Sequence, residues 1–425
     1  MGPWRSATAQ SPRNLDDIRA LQLEKLQSGL HAVLQTNAFW RARLTDVRGW
    51  DDFERLPLTT KRELLADQDA HPPYGTNLTY PLDRYVRLHQ TSGSSGSHPL
   101  RWLDTSESWE WWLRIWSDHV YPAAGVTAGD RLFFAFSFGP FIGFWTAFGG
   151  AERLGALAIS GGAMTTEQRI RTVLELDATV LLSTPTYALR LAEVARGIGL
   201  DPSDSKVRVT IHAGEPGASI PATRAAIEAA YSARCFDHTG MTELGPTGHS
   251  CTQRDGIHAI ESEFIFEVLD ERGSPAGEGE GELVATNLGR WGMPLLRYRT
   301  GDRVVLSREP CSCGSPYMKL VGGIRGRMDD MFTVRGVNLY PSQVEDIIRR
   351  HGYVREFVIE RRRVRQMDEV ALLVEIEGPE DSTERLEADL RQALGVRLEC
   401  RVVPAGTLPR SELKSKRIVL LEESS

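Results

Sequence analysis

The stretch between residues 130 and 235 alternates between short apolar runs and longer amphipathic runs, and this alternation restricts the fold more than any other feature. The strand-like runs are 131–138, 156–160, 179–183 and 207–213. The helix-like runs between them include 167–176, 186–197 and 221–231. Such an alternation predicts a parallel sheet covered by helices. Each turn that follows the carboxyl end of a strand in this sheet is a candidate ligand site.

The pattern changes twice towards the C-terminus. Beyond residue 260, short strands with Gly-rich turns predict a β-rich subdomain. A small α+β unit begins near residue 330, with helices expected at 342–350 and 383–394 and strands at 354–362 and 371–377. We therefore expect an α/β protein with a large N-terminal domain at 1–327, built on parallel and mixed sheets, and a small C-terminal domain at 328–425.

Composition is typical of a folded protein from a reducing compartment. Of the 425 residues, 41% are hydrophobic and 25% are charged, which is enough apolar material for two or three domains. The formal net charge of −7 does not indicate the basic surface that binding to nucleic acid requires. Five cysteines, sparse and odd in number, exclude a disulfide-stapled secreted scaffold. We expect a cytoplasmic protein, and its oligomeric state, with a homodimer as one option, stays open.

One uncharged segment, at 132–151, has the length of a membrane span. Gly139 and Pro140 interrupt it near the middle, and further glycines follow. Its beginning is rich in β-forming residues, so we expect a buried strand, a turn and a core helix instead. The N-terminus has no apolar stretch long enough for a signal peptide. The sequence therefore predicts no association with a membrane.

Five short segments carry residue types that can handle phosphate. The first is a loop dense in Ser and Gly at 90–99, whose hydroxyls and backbone amides can surround an anion. It lacks the Gly-Lys-Ser/Thr ending of a Walker loop, and a flexible linker is the alternative interpretation. The second, 236–243, ends in Thr242 and Glu243, and a hydroxyl beside a carboxylate suits a phosphate–Mg²⁺ site.

The other three segments lie in the second half of the chain. The turn at 298–302 presents the carboxylate of Asp302, which can hold ribose hydroxyls. The fourth segment is 326–341, and the fifth is a basic stretch at 408–417. Each has an ordinary explanation alone, but the ordered set resembles the adenylate-forming superfamily of acyl- and aryl-CoA ligases. Within it, the chain resembles the phenylacetate-CoA ligase-like branch, from about residue 55 to the C-terminus.

The resemblance implies a nucleotide site made of several loops. The loop that holds the ATP phosphates in such enzymes corresponds to Thr91, Ser92, Gly93, Ser94, Ser95 and Gly96. The adenine side corresponds to Gly214, Glu215, Pro216, Asp237, His238, Thr239 and Gly240. Asp302 and Arg327 match ribose contacts.

The resemblance also implies the catalytic residues. Thr242 and Glu243 match the pair that contacts the phosphate and Mg²⁺. Lys414 matches a lysine that approaches the α-phosphate and the carboxylate during adenylation, and Asp329 matches the hinge of a small mobile C-terminal lid domain. Two positions depart from the family: Ser97-His98 stands where a Lys often closes the phosphate loop, and Thr239 replaces an aromatic residue that stacks on adenine.

By this resemblance the protein uses ATP to adenylate a small aromatic carboxylic acid and passes the acyl group to a thiol, namely coenzyme A. Two anions meet in the first step, so catalysis depends on positioning and on cations more than on a general base. One alternative keeps adenylation and changes the acceptor to a carrier-protein thiol or an amine. Another is a protein that binds an adenylate without turnover, which the two departures from the family pattern motivate.

An aromatic cluster is a candidate acid pocket. Phe136, Phe138, Phe141 and Phe144 surround a Gly-Pro turn at a predicted strand end and can form a flat apolar slot. Ordinary core packing is the alternative, because alternating aromatic residues are common in buried strands. Gly240 and His212 are further candidate substrate contacts. Trp109, Trp112 and Trp116 share one helical face, which favours a core position.

Four residues can form a structural zinc site. Cys251 and His258 are separated by six residues, and Cys311 and Cys313 follow in a Cys-x-Cys-Gly turn. Three thiolates and one imidazole are a closed tetrahedral ligand set for Zn²⁺. The branch that the chain resembles includes members with zinc at a comparable place. Unpaired buried cysteines are the alternative interpretation.

Overall fold

The computed structural model describes residues 12–44, 47–91, 98–334, 337–364, 367–410 and 417–421. Its helices are α1 Leu15–Thr36, α2 Ala38–Arg41, α3 Trp50–Glu54, α4 Lys61–Ala70, α5 Ser106–Ile115, α6 Tyr121–Ala123, α7 Trp145–Leu154, α8 Thr166–Glu175, α9 Pro185–Gly197, α10 Pro221–Tyr231, α11 Pro341–Arg349 and α12 Ser382–Leu394. A π-helical turn, Trp116–Val120, joins α5 to α6.

The strands follow the same chain order. They are β1 Tyr85–Gln90, β2 Arg101–Thr105, β3 Arg131–Phe134, β4 Leu157–Ser160, β5 Val180–Ser183, β6 Val209–His212, β7 Arg234–Met241, β8 Gly245–His249, β9 Gly256–Ala259, β10 Phe264–Leu269, β11 Pro275–Ala276, β12 Gly279–Asn287, β13 Tyr298–Ser307, β14 Lys319–Val321, β15 Gly326–Arg327, β16 Phe332–Val334, β17 Val337–Leu339, β18 Val354–Val364, β19 Met367–Ile376, β20 Glu399–Val402 and β21 Ile418–Leu421.

Five strands, in the spatial order β4-β3-β5-β6-β7, form the parallel sheet that the alternation predicts. Every residue of β5 and β6 is buried, which is the pattern of strands covered on both faces. The side chains of Thr165 and Thr184 cap helices α8 and α9, and α10 begins at Pro221. The positions at which these three helices begin therefore follow from the local sequence.

Strand β7 belongs to two sheets. Its first half pairs in parallel with β6 and ends with His212 opposite Asp237. Its second half pairs antiparallel with β8 and begins with His238 opposite His249. From β8 the antiparallel sheet continues through β9, β14, β13, β12 and β10 to β11, and β15 joins the edge of β13. The two sheets thus meet between Asp237 and His238, inside one of the predicted motifs.

Hairpin β1–β2 holds the two ends of the Ser- and Gly-rich loop. Gln90 lies opposite Arg101 at the last pair of the hairpin. The backbone N–H of Thr91 donates to the carbonyl of Leu100 at 3.0 Å, and the N–H of Leu100 donates to the Thr91 hydroxyl at 3.0 Å. Both ends of the loop are therefore fixed at its base.

The C-terminal part has its own sheet, in the order β20-β19-β18-β21, and its own apolar core with α11 and α12. Core residues from these elements include Val344, Phe357, Leu372, Leu386 and Leu390. The predicted fold class, a mixed α/β protein with a large sheet and a smaller C-terminal domain, is confirmed.

The uncharged segment 132–151 forms most of β3, a turn and most of α7, as the sequence predicts. Within the described residues, no helix combines the length and the apolarity that crossing a bilayer requires.

Candidate active site

A cavity of about 880 Å³ opens where the carboxyl ends of β6 and β7, strand β13 and the segment after β15 come together. One set of lining residues is polar: Lys61, Thr91, Glu215, Asp237, Thr242, Glu243, Asp302, Arg327 and Asp329. A second set consists of rings: Trp112, Trp116, Phe136, Phe141, Phe144 and His238. The cavity can therefore hold a ligand with a charged part and an aromatic part.

The turn that carries Thr242 and Glu243 is fixed by a fully buried ion pair. The guanidinium of Arg290 forms two bonds to the Asp104 carboxylate, at 2.6 and 2.7 Å. Its Nη1 also donates to the carbonyls of Thr242 at 2.5 Å and Glu243 at 3.0 Å. The ring of Trp112 lies 4.5 Å from the same guanidinium. A buried arginine held this firmly keeps the Glu243 backbone in one position.

Lys61 is a cavity residue that the sequence analysis missed. It is the first residue of α4, whose N-terminus is closed by a capping box between Thr60 and Glu63. Its Nζ lies 3.6 Å from the Glu243 carboxylate. The sequence predicts a helix cap at residue 59 or 60. The direction in which the Lys61 side chain points, however, depends on how α4 packs against the rest of the domain.

Asp302 and Arg327, the predicted ribose contacts, form an ion pair on the cavity wall. They stand opposite each other on β13 and β15, with Arg327 Nη1 3.3 Å from Asp302 Oδ1. The Nε of Arg327 donates to the carboxylate of Asp329 at 3.0 Å. Gly301 has a φ of +76°, and a Cβ there would lie 3.0 Å from Arg327 Nη2. The turn thus brings the predicted hinge residue and both predicted ribose contacts together.

Asp237 is a buried carboxyl group at the junction of the two sheets. It accepts hydrogen bonds from the Ser219 hydroxyl and, at 3.0 Å, from the backbone N–H of His238. Burial raises the pKa of Asp237 to about 6, although these hydrogen bonds oppose the shift. Residues 214–216 of the predicted adenine loop also line the cavity, and Glu215 Oε1 accepts from the N–H of Thr186 at 3.0 Å.

The aromatic end contains part of the predicted phenylalanine slot. The ring of Phe136 lies 5.5 Å from Phe141 and 5.2 Å from Phe144, and all three line the cavity. Phe138 does not line it, because its ring packs against Trp145 at 4.7 Å and against Phe148. Trp112 and Trp116 are buried as expected, and they are cavity residues as well.

His212 also lies away from the cavity wall. It is fully buried at the end of β6, and its Nδ1 is 3.2 Å from the Ser183 carbonyl. Thr239 and Gly240 do line the cavity, and the Thr239 hydroxyl accepts from Thr247 at 3.1 Å. A Cβ at Gly240 would lie 2.8 Å from the Gly245 carbonyl, so only glycine fits this close approach of two strands.

The predicted phosphate-loop residues Ser92, Gly93, Ser94, Ser95 and Gly96, and the predicted catalytic Lys414, lie outside the described residues. Thr91, at the base of the loop, lines the cavity. His98 does not: its Nε2 lies 3.1 Å from the carboxylate of Asp69. His98 therefore faces Asp69 and not the cavity.

Charged side chains hold the chain on both sides of residues 411–416. Before them, the buried Glu375 accepts from the Leu408 N–H at 2.7 Å and from Arg410 at 2.6 and 3.1 Å. After them, Arg417 pairs with Glu356 and Glu345. The described residues on either side of 411–416 are thus attached to the C-terminal sheet and to α11.

The four predicted zinc ligands lie together, with their ligand atoms all within 4.8 Å of one another. The Sγ atoms of Cys251 and Cys311 are 3.8 Å apart, and Cys313 Sγ is 3.3 Å from His258 Nε2. Two thiolates bound to one tetrahedral Zn²⁺ at ~2.3 Å would be about 3.8 Å apart. The Nδ1 of His258 lies 3.1 Å from the Tyr317 carbonyl, which leaves Nε2 free to face a metal.

Four curated proteins with the name phenylacetate-coenzyme A ligase match nearly the whole chain. The protein from Thermus thermophilus is 31% identical, and the match covers 95% of this chain and 96% of that protein. The chain belongs to the phenylacetate-coenzyme A ligase family. The resemblance that the ordered motifs predict is therefore confirmed. The Escherichia coli member of the family is 29% identical, with 95% of each chain covered.

A model of the AMP-binding enzyme C-terminal domain matches residues 336–420 of this family member. Among solved structures, a 2-hydroxyisobutyryl-CoA ligase in the postadenylation state aligns with a TM-score of 0.90 at 28% identity, covering 97% of this chain and 93% of that one. The same ligase aligns with a lower TM-score in two other states: 0.73 in its thioesterification state and 0.72 in an open conformation. This member of the phenylacetate-coenzyme A ligase family therefore shares its domain arrangement with the postadenylation state.

Proposed function

We propose that this protein adenylates a small aromatic carboxylic acid with ATP and transfers the acyl group to coenzyme A. Acid–CoA ligation is the activity of the enzymes in its family. The observation that supports the aromatic substrate best is a single cavity that joins a charged set of residues to a set of aromatic rings. An ATP molecule and an aromatic acid need these two environments side by side.

In this proposal the polar set binds the nucleotide. Asp302 accepts hydrogen bonds from the ribose hydroxyls, and Arg327, paired with it at 3.3 Å, keeps that carboxylate in place. The Asp237 carboxyl, buried beside residues 214–216, accepts a hydrogen bond from the adenine amino group. Thr239 provides no stacking surface there, so the base is held by edge contacts and by the backbone of the loop.

Chemistry begins when the substrate carboxylate attacks the α-phosphorus of ATP. An O–P bond forms to the acid, the bond to the β-phosphate breaks, and pyrophosphate leaves with its electrons. Lys61 supplies positive charge, and Thr91 supplies a hydroxyl at the base of the phosphate loop. By the family resemblance, Lys414 supplies a second positive charge. Mg²⁺ bound at Glu243 would neutralise phosphate oxygens during this step. The thiol of coenzyme A then attacks the acyl carbon, and AMP leaves.

The small C-terminal domain serves as a lid in this proposal. Asp329 follows β15, the last strand of the large sheet in chain order, and precedes β16, which pairs with β17 outside that sheet. Rotation at this residue would present residues 411–416 during adenylation and withdraw them afterwards. Two half-reactions at one cavity require such an exchange of groups, because Lys414 approaches the α-phosphate and the carboxylate in the first step and the thiol has to reach the acyl carbon in the second.

We also propose that Cys251, His258, Cys311 and Cys313 bind a structural Zn²⁺. The distances between the ligand atoms suit one tetrahedral ion, and the Tyr317 carbonyl orients the imidazole. The four ligands come from the loops after β8 and β13 and from β9. An ion there would tie these parts of the antiparallel sheet together, away from the chemistry.

The proposal is tested by ATP–pyrophosphate exchange with a panel of aromatic and aliphatic carboxylic acids. Exchange that depends on an aromatic acid supports adenylation, and an acyl-CoA thioester after addition of coenzyme A supports the acceptor. Exchange without formation of the CoA thioester, but with acylation of a carrier-protein phosphopantetheine or an amine, would mean that this other group is the acyl acceptor. Binding of an acyl-adenylate analogue without exchange for any acid would contradict the enzymatic proposal.

A further inference from the structure

The turn between β7 and β8 consists of Thr242, Glu243 and Leu244, and buried side chains bind all three of its carbonyls. Arg290 Nη1 donates to the first two, and the side-chain amide of Asn287 donates to the third at 3.4 Å. Neither donor lines the cavity, whereas the side chains of Thr242 and Glu243 do. The two donors therefore fix the backbone of the turn and leave its cavity side open for ligands.

The carboxylate that binds Arg290 belongs to the hairpin of the predicted phosphate loop. Asp104 lies on β2, three residues after Arg101, which pairs with Gln90 at the base of that loop. Its two oxygens accept from Nε and Nη2 of Arg290, so Nη1 is left to bind the turn. One guanidinium therefore joins the hairpin of the phosphate loop to the turn that carries the predicted Mg²⁺ ligand.

Packing holds this guanidinium in a single position. Its central carbon lies 4.5 Å from the ring centroid of Trp112 and 5.5 Å from that of Trp102, and both members of the ion pair are fully buried. A lysine at position 290 would supply the charge, but its single ammonium group cannot reproduce the planar fork of an arginine. The pair therefore provides four hydrogen bonds in fixed directions, which is more than charge neutralisation requires.

Resting on the proposed function, we propose that Arg290, held by Asp104, is a positioning residue for adenylation. It fixes the distance between the loop that binds the ATP phosphates and the turn whose Glu243 carboxylate faces Mg²⁺. Adenylation needs both elements, because the loop and the metal act on the same phosphate groups. Thioester formation takes place after pyrophosphate has left. The pair should therefore matter for the first half-reaction much more than for the second.

The main test removes the pair without leaving a buried charge. In the double variant Asp104→Leu/Arg290→Met, two apolar side chains replace the ion pair, and such replacements are often neutral for stability. Acid-dependent ATP–pyrophosphate exchange should slow at least about tenfold, because small misplacements of catalytic groups are costly. The Mg²⁺ concentration for half-maximal exchange should rise at least about threefold. Thioester formation from supplied acyl-adenylate and coenzyme A should stay within about threefold of the wild type.

A second arginine–carboxylate pair in the large domain provides the matched control. Arg308 Nη2 and Nη1 donate to the buried carboxylate of Glu261 at 2.7 and 3.3 Å, and neither residue lines the cavity. The double variant Glu261→Leu/Arg308→Met also loses an ion pair of the antiparallel sheet, but it leaves the turn at 242–244 untouched. Both half-reactions and the Mg²⁺ dependence should stay within about threefold of the wild type.

Equal losses in the two half-reactions, or an unchanged Mg²⁺ dependence, would assign the pair a purely structural role and overturn the inference. If the double variant is insoluble, Arg290→Lys carries the test, because it keeps a charge beside Asp104 without the fork, and it should show the same selective loss. Insolubility of both variants would mean that the pair serves folding, and the inference would be wrong. Absence of exchange by the wild type with every acid would instead contradict the proposed adenylation.

Discussion

Lys61 places a positive charge 3.6 Å from the Glu243 carboxylate, at the polar end of the cavity. We expect Lys61→Ala to slow acid-dependent ATP–pyrophosphate exchange about 100-fold, because one preorganised contact to developing charge is typically worth that much. The effect should fall on kcat more than on the KM for the acid. Lys206→Ala, at an exposed lysine, is the control. Normal exchange in Lys61→Ala would show that this lysine takes no part in adenylation.

Asp237 gives a pH-dependent contribution to stability. Burial raises its pKa from 3.8 to about 6, so between these values the folded state binds more protons than the unfolded state. Stability then falls as the pH rises through this window, and the penalty persists above it. Asp237→Asn cannot ionise. Its Tm relative to the wild type should therefore increase between about pH 4.5 and about pH 7 in thermal unfolding of the unliganded protein. A Tm difference independent of pH would contradict the raised pKa.

At this scale the sequence locates motifs better than it locates single contacts. Thr242, Glu243, Asp302 and Arg327 could be picked out because their neighbours in the chain form recognisable segments, and they line one cavity. Lys61 could not, because its position depends on how α4 packs against the sheet. Phe138 and His212 show the reverse error. Phe138 stands two residues after the cavity residue Phe136, and His212 stands next to the cavity residue Ala213, but neither side chain lines the cavity.

Among the elements, helices were easier to predict than strand ends. Capping residues mark where α4, α8 and α9 begin, and these signals are local. The apolar run predicts that β3 extends to residue 138, but the strand ends at Phe134. After Phe134 the chain turns, with the Phe136 N–H donating to the Phe134 carbonyl at 2.8 Å. The run stays apolar because Phe136 lines the cavity and Phe138 packs against Trp145 and Phe148, so hydrophobicity alone cannot show where the strand ends.

Glu375 on β19 anchors the segment that precedes Lys414. Glu375→Gln would weaken its two bonds to Arg410, and we expect adenylation to slow about tenfold, because small misplacements of a catalytic group are costly. Thioester formation from supplied acyl-adenylate and coenzyme A should change less. Glu377→Gln is the matched control, since Glu377 lies just after β19 and its exposed pair is with Arg355 on the neighbouring strand β18. Equal losses in both half-reactions would indicate general destabilisation.

The proposed zinc ties the loops after β8 and β13 to strand β9, so its loss should lower the thermal stability. Cys313→Ser should abolish stoichiometric zinc in elemental analysis and lower the Tm by ~5 °C or more. Cys400→Ser, in the C-terminal domain, should retain the metal. Retention of zinc by Cys313→Ser, or metal-free wild-type protein after careful purification, would contradict the site.

For the molecule as a whole, Asp329 is the point where motion is expected. Asp329→Pro fixes one backbone dihedral angle and should hold the lid in one arrangement. Because the arrangement described here resembles a postadenylation state, we expect adenylation to remain within about tenfold and thioester formation to fall at least about 100-fold. Asp329→Ala keeps the freedom of rotation and should affect both steps less. Equal effects of the two variants would argue against a hinge at this residue.

The sequence predicts the order of the parts but not how two sheets are joined. Alternating runs indicate parallel strands, and Gly-rich turns indicate antiparallel ones, so both halves of the large domain could be expected. Nothing in the periodicity of residues 234–241 shows that one strand changes the direction of its partners at His238. That change depends on β8 returning beside it, which is a tertiary event.

Strand β7 has a consequence for dividing the protein into two separately expressed fragments. Its backbone is the last strand of one sheet and the first of the other, so a cut within it would leave both fragments with an incomplete edge. Unpaired edges of this kind invite aggregation before reassembly. A cut after Arg327 instead leaves each fragment with a complete sheet and core. Residues from both fragments line the cavity. Under the proposed function, acid and ATP would therefore favour reassembly, and the pair would serve as a split sensor for these two ligands.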